Sequence, residues 1–153
     1  MKKNVNIETQ FSKRDIDELL FCSVNYQHEY VCRVRGQLCR TEFDFFREIS
    51  AGMSFPEYFG WNWNALDECL TDLEWLRFSG ILMVIDDWQM AFEGEKDQKE
   101  SVDVMKRCLG SVAEWWRERG VQFTVYYNQT MIIEENDYDR FRGTSLTSNP
   151  KMK

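Results

Sequence analysis

The chain has 153 residues, 43% of them hydrophobic and 29% charged, which suits one packed domain with a short extension and excludes two independent catalytic domains or wholesale disorder. Its 26 Asp and Glu outnumber 19 Lys and Arg, and the resulting formal charge of -7 repels nucleic acid phosphates and anionic membrane surfaces while attracting a basic partner. Ordinary solubility explains the same excess, so charge supports a binding role without establishing one.

The opening MKKNVNIETQFSKRD follows its lysine pair with polar residues, not with the apolar stretch of a secretory signal, and the longest continuous apolar block is only Ile81 to Ile85. A membrane span needs about 18 apolar residues, so none is expected. The five cysteines, Cys22, Cys32, Cys39, Cys69 and Cys108, are scattered with no C-x-x-C pair or metal-finger spacing, which points to a reduced, cytoplasmic setting.

Along the chain, Ser12 to Leu20 is predicted as a short helix capped by Ser12, with Asp15 three places on and Ile16, Leu19 and Leu20 on one side. Phe21 to Val24 and Glu29 to Val34 are predicted strands around a polar turn, Asn25 to His28, and a second turn follows at Gly36. A helix begins after Thr41, whose hydroxyl suits an N-cap, with Glu42 and Asp44 at its positive end and Phe45, Phe46 and Ile49 at helical spacing; Gly52 is expected to end it. After a compact FPEYFG turn, Asn62 to Leu73 form a helix with two stripes. Trp63, Leu66, Cys69, Leu70 and Leu73 are apolar, whereas Asn64, Asp67, Glu68, Thr71 and Asp72 are polar and largely acidic.

Ile81 to Ile85 is the continuous apolar run expected of a central parallel strand buried on both faces, and it ends at Asp86, Asp87 and Trp88. Glu93 to Glu100 lack apolar periodicity and read as a solvated connection to a long helix, Ser101 to Arg119, closed by Gly120. Val121 to Tyr127 is a further strand, Thr130 to Glu134 an expected edge strand, and the polar end an expected disordered tail. Alternating helices and strands define the class as α/β, and no internal repeat is present.

Catalytic motifs are sparse. The one histidine, His28, lies in a polar turn with no nucleophile motif nearby; a single histidine forms no metal-ligating His pair; and neither phosphate-cradling glycine loop occurs. No cofactor or metal is expected. Asp86 and Asp87 at a strand end are the only carboxylates offered for hydrolytic chemistry, a weak signal among 26 acids.

The densest constellation is Pro56-Glu57-Tyr58-Phe59-Gly60-Trp61-Asn62-Trp63-Asn64-Ala65-Leu66-Asp67-Glu68-Cys69-Leu70-Thr71. Phe59 and Trp63 read as core, while aromatic and acidic groups on one loop and one helix face suit docking onto a basic protein. The stretch PEYFGWNWNALDECLT resembles the signature of the barstar family, P-E-Y-[YF]-G-x-N-x-x-A-L-x-x-C-L-T, and the order of elements from Glu29 to Asn128 is similar to that family's.

This resemblance implies a three-layer α/β fold with a small, mainly parallel sheet flanked by helices, occupying 29–128. Residues 1–28 would be an N-terminal extension and 129–153 an edge strand with a tail. It implies a non-enzymatic inhibitor, or immunity protein, monomeric until it binds a basic nuclease and needing no cofactor, membrane or direct nucleic acid contact. The implied contacts are Tyr58, Asn62, Asn64 and Glu68, with Asp67, Thr71 and Trp61 on the same surface. Asn64 and Glu68 stand where barstar itself has aspartates, and Asp67 where it has a tryptophan, so the acidic character persists with altered geometry. An acidic contact from the long helix falls near Glu114 or is missing. An adaptor without inhibitory activity, anchored by Trp61, is the alternative.

Overall fold

Seven consecutive buried residues leave a strand no solvent-facing side, so Gly80–Asp86 must carry structure on both faces. The computed structural model describes residues 6–18 and 29–130 and bears this out. Strands β1 (Asn6–Thr9), β2 (Glu29–Arg35), β3 (Gly80–Asp86) and β4 (Gln122–Asn128) form one sheet in the order β1-β4-β3-β2. All pairings are parallel, with Arg35 level with Asp86, and Asp86 level with Asn128.

Helices α2 (Glu42–Met53), α3 (Trp63–Leu70) and α4 (Gln98–Glu118) cover one face, and α1, helical over 13–18, covers the other. The alternation of β3 divides its side chains between them. Ile81, Met83 and Ile85 join Phe45, Ile49, Leu66, Leu70, Met105 and Leu109 in the main core, while Leu82 and Val84 pack with Ile16 beneath α1. The result is the expected three-layer α/β arrangement, with an all-parallel sheet where a mainly parallel one was expected.

The helix caps follow the sequence closely. Ser12 and Asp15 exchange side-chain and backbone hydrogen bonds, as do Thr41 and Asp44, so two orphan N–H groups are satisfied at each start. Three boundaries differ from expectation. Helix α2 runs past Gly52 and ends at Ser54, which takes the left-handed conformation with φ 53°. Gly52 is needed for another reason: a Cβ there would lie 2.7 Å from the Cys32 sulfur of the underlying strand. Helix α3 stops at Leu70 instead of Leu73, although Leu73 still reaches the core from a turn with φ 54°. Helix α4 begins at Gln98, earlier than Ser101, because the Asp97 carboxylate caps it through Glu100 N–H.

The predicted strand Phe21 to Val24, the turn with His28, residues 131–134 of the predicted edge strand and the polar tail lie outside the described residues. No helix among the described residues is long and apolar enough to cross a membrane.

Candidate functional site

The loop before α3 is built on a buried aromatic plug. Phe59 packs edge-on against Phe46 and Phe55, and its N–H bonds Pro56 O at 3.1 Å, which folds residues 56–59 into a tight turn. With Phe59 inward, its neighbours Tyr58 and Trp61 are left at the surface, 61% and 43% exposed. Trp61 has φ 57°, a region bulky residues seldom adopt, and stacks on Phe43 with centroids 5.5 Å apart while also touching Phe59.

Asn62 ends the loop and starts the helix. Its Oδ1 accepts from Ala65 N–H at 2.8 Å and its Nδ2 donates to Gly60 O at 3.1 Å, so this side chain fixes the angle at which α3 leaves the loop. Trp63 is pinned on the inner side by Phe45 and Phe46 and by its indole N–H to Glu42. The predicted core stripe is therefore inward, and Asn64, Asp67 and Glu68 are all exposed on the outer side. Thr71 is half-buried and turns its hydroxyl back to Asp67 O at 2.7 Å, ending the helix. The structure thus places all seven predicted residues on the loop and on α3 with its immediate C-terminus, with Asn62 and Thr71 engaged in shaping it.

Three features were not legible in the sequence. An open groove of about 510 Å³ separates α3 from α4, and Asp67 and Thr71 face Ser111, Glu114, Trp115 and Glu118 across it. Glu114 pairs with Arg117, and the Arg119 guanidinium lies 3.6 Å from the Trp115 ring centre. Helix α4 is held there by Trp116, whose indole N–H reaches Leu70 O at 2.7 Å and satisfies a carbonyl at the end of α3. Second, Tyr58 donates its hydroxyl to Asp72 at 2.6 Å, and this bond, with lesser effects of burial and of the Asp72 charge, pushes the phenol up to about 12. Third, Phe43 is exposed beside Trp61, a position that helical spacing alone marks as surface but cannot pair with the loop.

The alternative carboxylate site is structural in form. Asp86 is 1% exposed and accepts from Arg33 at 2.7 Å, Asn128 at 2.9 Å and Thr130 at 3.1 Å, so its oxygens tie the C-terminal ends of β2, β3 and β4 together. Asp87 is a tight-turn residue with φ 48° whose carboxylate accepts from Thr130 N–H. Among the described residues, no group of three or more His, Cys, Asp or Glu is placed to hold a metal ion.

Residues 29–128, well over half of the chain, match the family model described as Barstar (barnase inhibitor). The chain belongs to the barstar family. The match includes α2, α3, α4 and three of the four strands, together with every residue of the loop and groove described above. Strand β1 and helix α1 precede the barstar-matched segment and extend its sheet and cover its second face. Comparison with curated proteins gives no match.

Proposed function

We propose that this protein inhibits a basic nuclease, most simply a ribonuclease toxin against which its producer needs immunity, by filling the nuclease's active site in the cytoplasm. The description of its family as a barnase inhibitor supports a nuclease as the class of partner. The observation that carries the reading is the shape of the surface: Tyr58 and Trp61 stand on a braced loop beside the exposed Asp67 and Glu68, with Glu114 and Glu118 across the groove.

A nuclease cleft must concentrate positive charge to hold phosphates, so clustered carboxylates both steer such a partner and occupy the places of its substrate's phosphates. Aromatic rings supply the desolvated contact area that charge alone lacks. We assign the contacts to Tyr58, Trp61, Asn64, Asp67 and Glu68, with Asn62 and Thr71 shaping the edge of the surface. We further assign 29–128 as the inhibitory body, 1–28 as an N-terminal extension and 129–153 as an edge strand and tail.

Co-purification from the native producer at low salt, followed by nuclease assay of fractions eluted with rising salt, tests this reading. A basic nuclease whose activity appears on release and falls when the chain is added back is the expected result. A constant partner without nuclease activity would replace inhibition with an adaptor role.

A further inference from the structure

Exposed tyrosines ordinarily sample several rotamers, and a contact that must be ordered on binding loses affinity to that ordering. Tyr58 is exposed yet held at two points. Its hydroxyl donates to Asp72 Oδ2 at 2.6 Å, and its ring meets the Trp75 ring edge-on with centroids 6.4 Å apart. Trp75 is itself fixed, because its indole N–H donates to Met53 O at 2.9 Å and its ring meets Phe55 at 6.1 Å. The support therefore runs from the end of α2, through Trp75, to a residue on the loop, and is closed by a carboxylate just past α3.

Asp72 lies in the turn after α3, where its N–H bonds Cys69 O at 3.2 Å, and it is half-buried while Asp67 and Glu68 are exposed. A free surface carboxylate would serve a basic partner directly. This one is committed to a phenol.

We propose that Asp72 is a positioning residue: it holds the Tyr58 ring in the orientation presented to a basic partner and acts through that ring, not as a contact of its own. The assignment rests on the nuclease-inhibitor reading for the identity of the partner, but the ordering of Tyr58 is a property of the free protein. The high phenol value agrees with the geometry, since an anionic acceptor at 2.6 Å opposes loss of the tyrosine proton.

The test uses the full chain with Asp72→Ala, Asp72→Asn, Tyr58→Phe and the double variant Tyr58→Phe/Asp72→Ala. In the free protein, aromatic NMR relaxation reports the order of the Tyr58 ring, and ultraviolet titration against Tyr58→Phe isolates its phenol among the other tyrosines. Asp72→Ala should release the ring and return the phenol from about 12 toward its ordinary 10.0. Asp72→Asn retains an acceptor and should keep the ring ordered while the phenol value falls.

Affinity is then measured against the nuclease eluted in the co-purification described above. Asp72→Ala should bind about 3- to 10-fold more weakly, the range expected for ordering one side chain on binding. The same change should add nothing in the Tyr58→Phe background. A ring that stays ordered in Asp72→Ala overturns the proposal, because Trp75 alone would then suffice. Equal losses in both backgrounds also overturn it, because Asp72 would then touch the partner directly. Failure to recover any nuclease counts against the inhibitor reading, and the free-protein measurements still decide whether Asp72 positions Tyr58.

Discussion

The indole N–H of Trp63 donates to Glu42 Oε1 at 3.1 Å, while the other oxygen of the same carboxylate accepts from Ser101 Oγ at 2.7 Å. Glu42 opens α2, Trp63 opens α3 and Ser101 lies in the first turn of α4, so one side chain joins the N-terminal ends of three helices. Because those ends carry partial positive charge, the carboxylate suits the site electrostatically as well as by hydrogen bonding. Glu42→Ala should cost about 2–3 kcal/mol, since it strands a half-buried indole N–H and a buried hydroxyl. Urea unfolding followed by tryptophan fluorescence measures it, and Glu42→Gln should lose less.

Reversing Asp67 and Glu68 to lysine addresses the proposed surface. Both side chains are exposed, so folding stability should change by less than about 0.5 kcal/mol. Association with a basic partner should slow by about 10-fold at low salt, and the dependence of that rate on salt should weaken. Glu18→Lys is the matched control, being equally acidic and exposed on α1, across the sheet. Stopped-flow association at several ionic strengths distinguishes the two, and equal effects from all three positions would reduce the surface to net charge alone.

The elements that were legible in the sequence are those governed by local periodicity or by caps. The unbroken run from Ile81 to Ile85 required cover on both faces, and the Leu66, Cys69, Leu70 stripe required burial of one side of α3. Asn64, Asp67 and Glu68 were legible as an outer face for the same reason. The groove was not, because it depends on Trp116 docking α4 against the end of α3 across 46 residues of sequence. Nor was the pairing of Tyr58 with Asp72, which belongs to neither the helix period nor the loop motif. The early start of α4 was hidden because Gln98, Lys99 and Glu100 offer no apolar side chain for a helical period to register.

Ser54 offers a stabilising change. It closes α2 with φ 53° and is exposed, a conformation in which every residue with a Cβ is strained and glycine is not. Ser54→Gly should therefore raise stability by about 0.5–1 kcal/mol, visible as a higher urea midpoint with an unchanged slope. A loss of stability would mean that the serine side chain contributes something beyond its backbone geometry.

Acid sensitivity should centre on Asp86. Burial pushes its carboxyl up, but hydrogen bonds from Asn128, Arg33 and Thr130, with the Arg33 charge, outweigh this and hold it below the ordinary 3.8. A carboxyl that is harder to protonate folded than unfolded stabilises the fold above its unfolded value, and that stabilisation disappears as pH falls through the folded value. Asp86→Asn should be destabilised by about 2 kcal/mol at neutral pH, because it removes the buried charge from a set of hydrogen bonds and leaves the half-buried Arg33 with the exposed Asp17, at 3.4 Å, as its charged partner. The deficit should shrink progressively below pH 3.8 as the wild-type carboxylate is itself protonated. Chemical denaturation of both proteins across that range gives the comparison, and a constant gap would exclude Asp86 as the source.

Two buried thiols, Cys32 and Cys39, and the half-buried Cys108 make the complementary prediction in alkali. Burial, aided by the charge of Glu48 at Cys32 and Cys39 and of Asp67 at Cys108, pushes all three thiols up to about 12, from an ordinary 9.0. The thiolate is the reactive form, so at pH 8 the fully buried Cys32 and Cys39 should react with a maleimide only as fast as the fold opens, the half-buried Cys108 should react slowly in the folded chain, and all three should react fully once urea unfolds it. The same shifts carry a sign for stability: the unfolded thiols ionise from about pH 9 while the folded ones do not, so stability falls as pH rises above 9.0 toward 12. Replacing Cys32, Cys39 and Cys108 together with alanine should lower stability at neutral pH through lost packing, yet flatten its alkaline decline. A decline equally steep in that variant would assign the effect to other groups, with the phenol of Tyr127, also raised by burial, the next to replace.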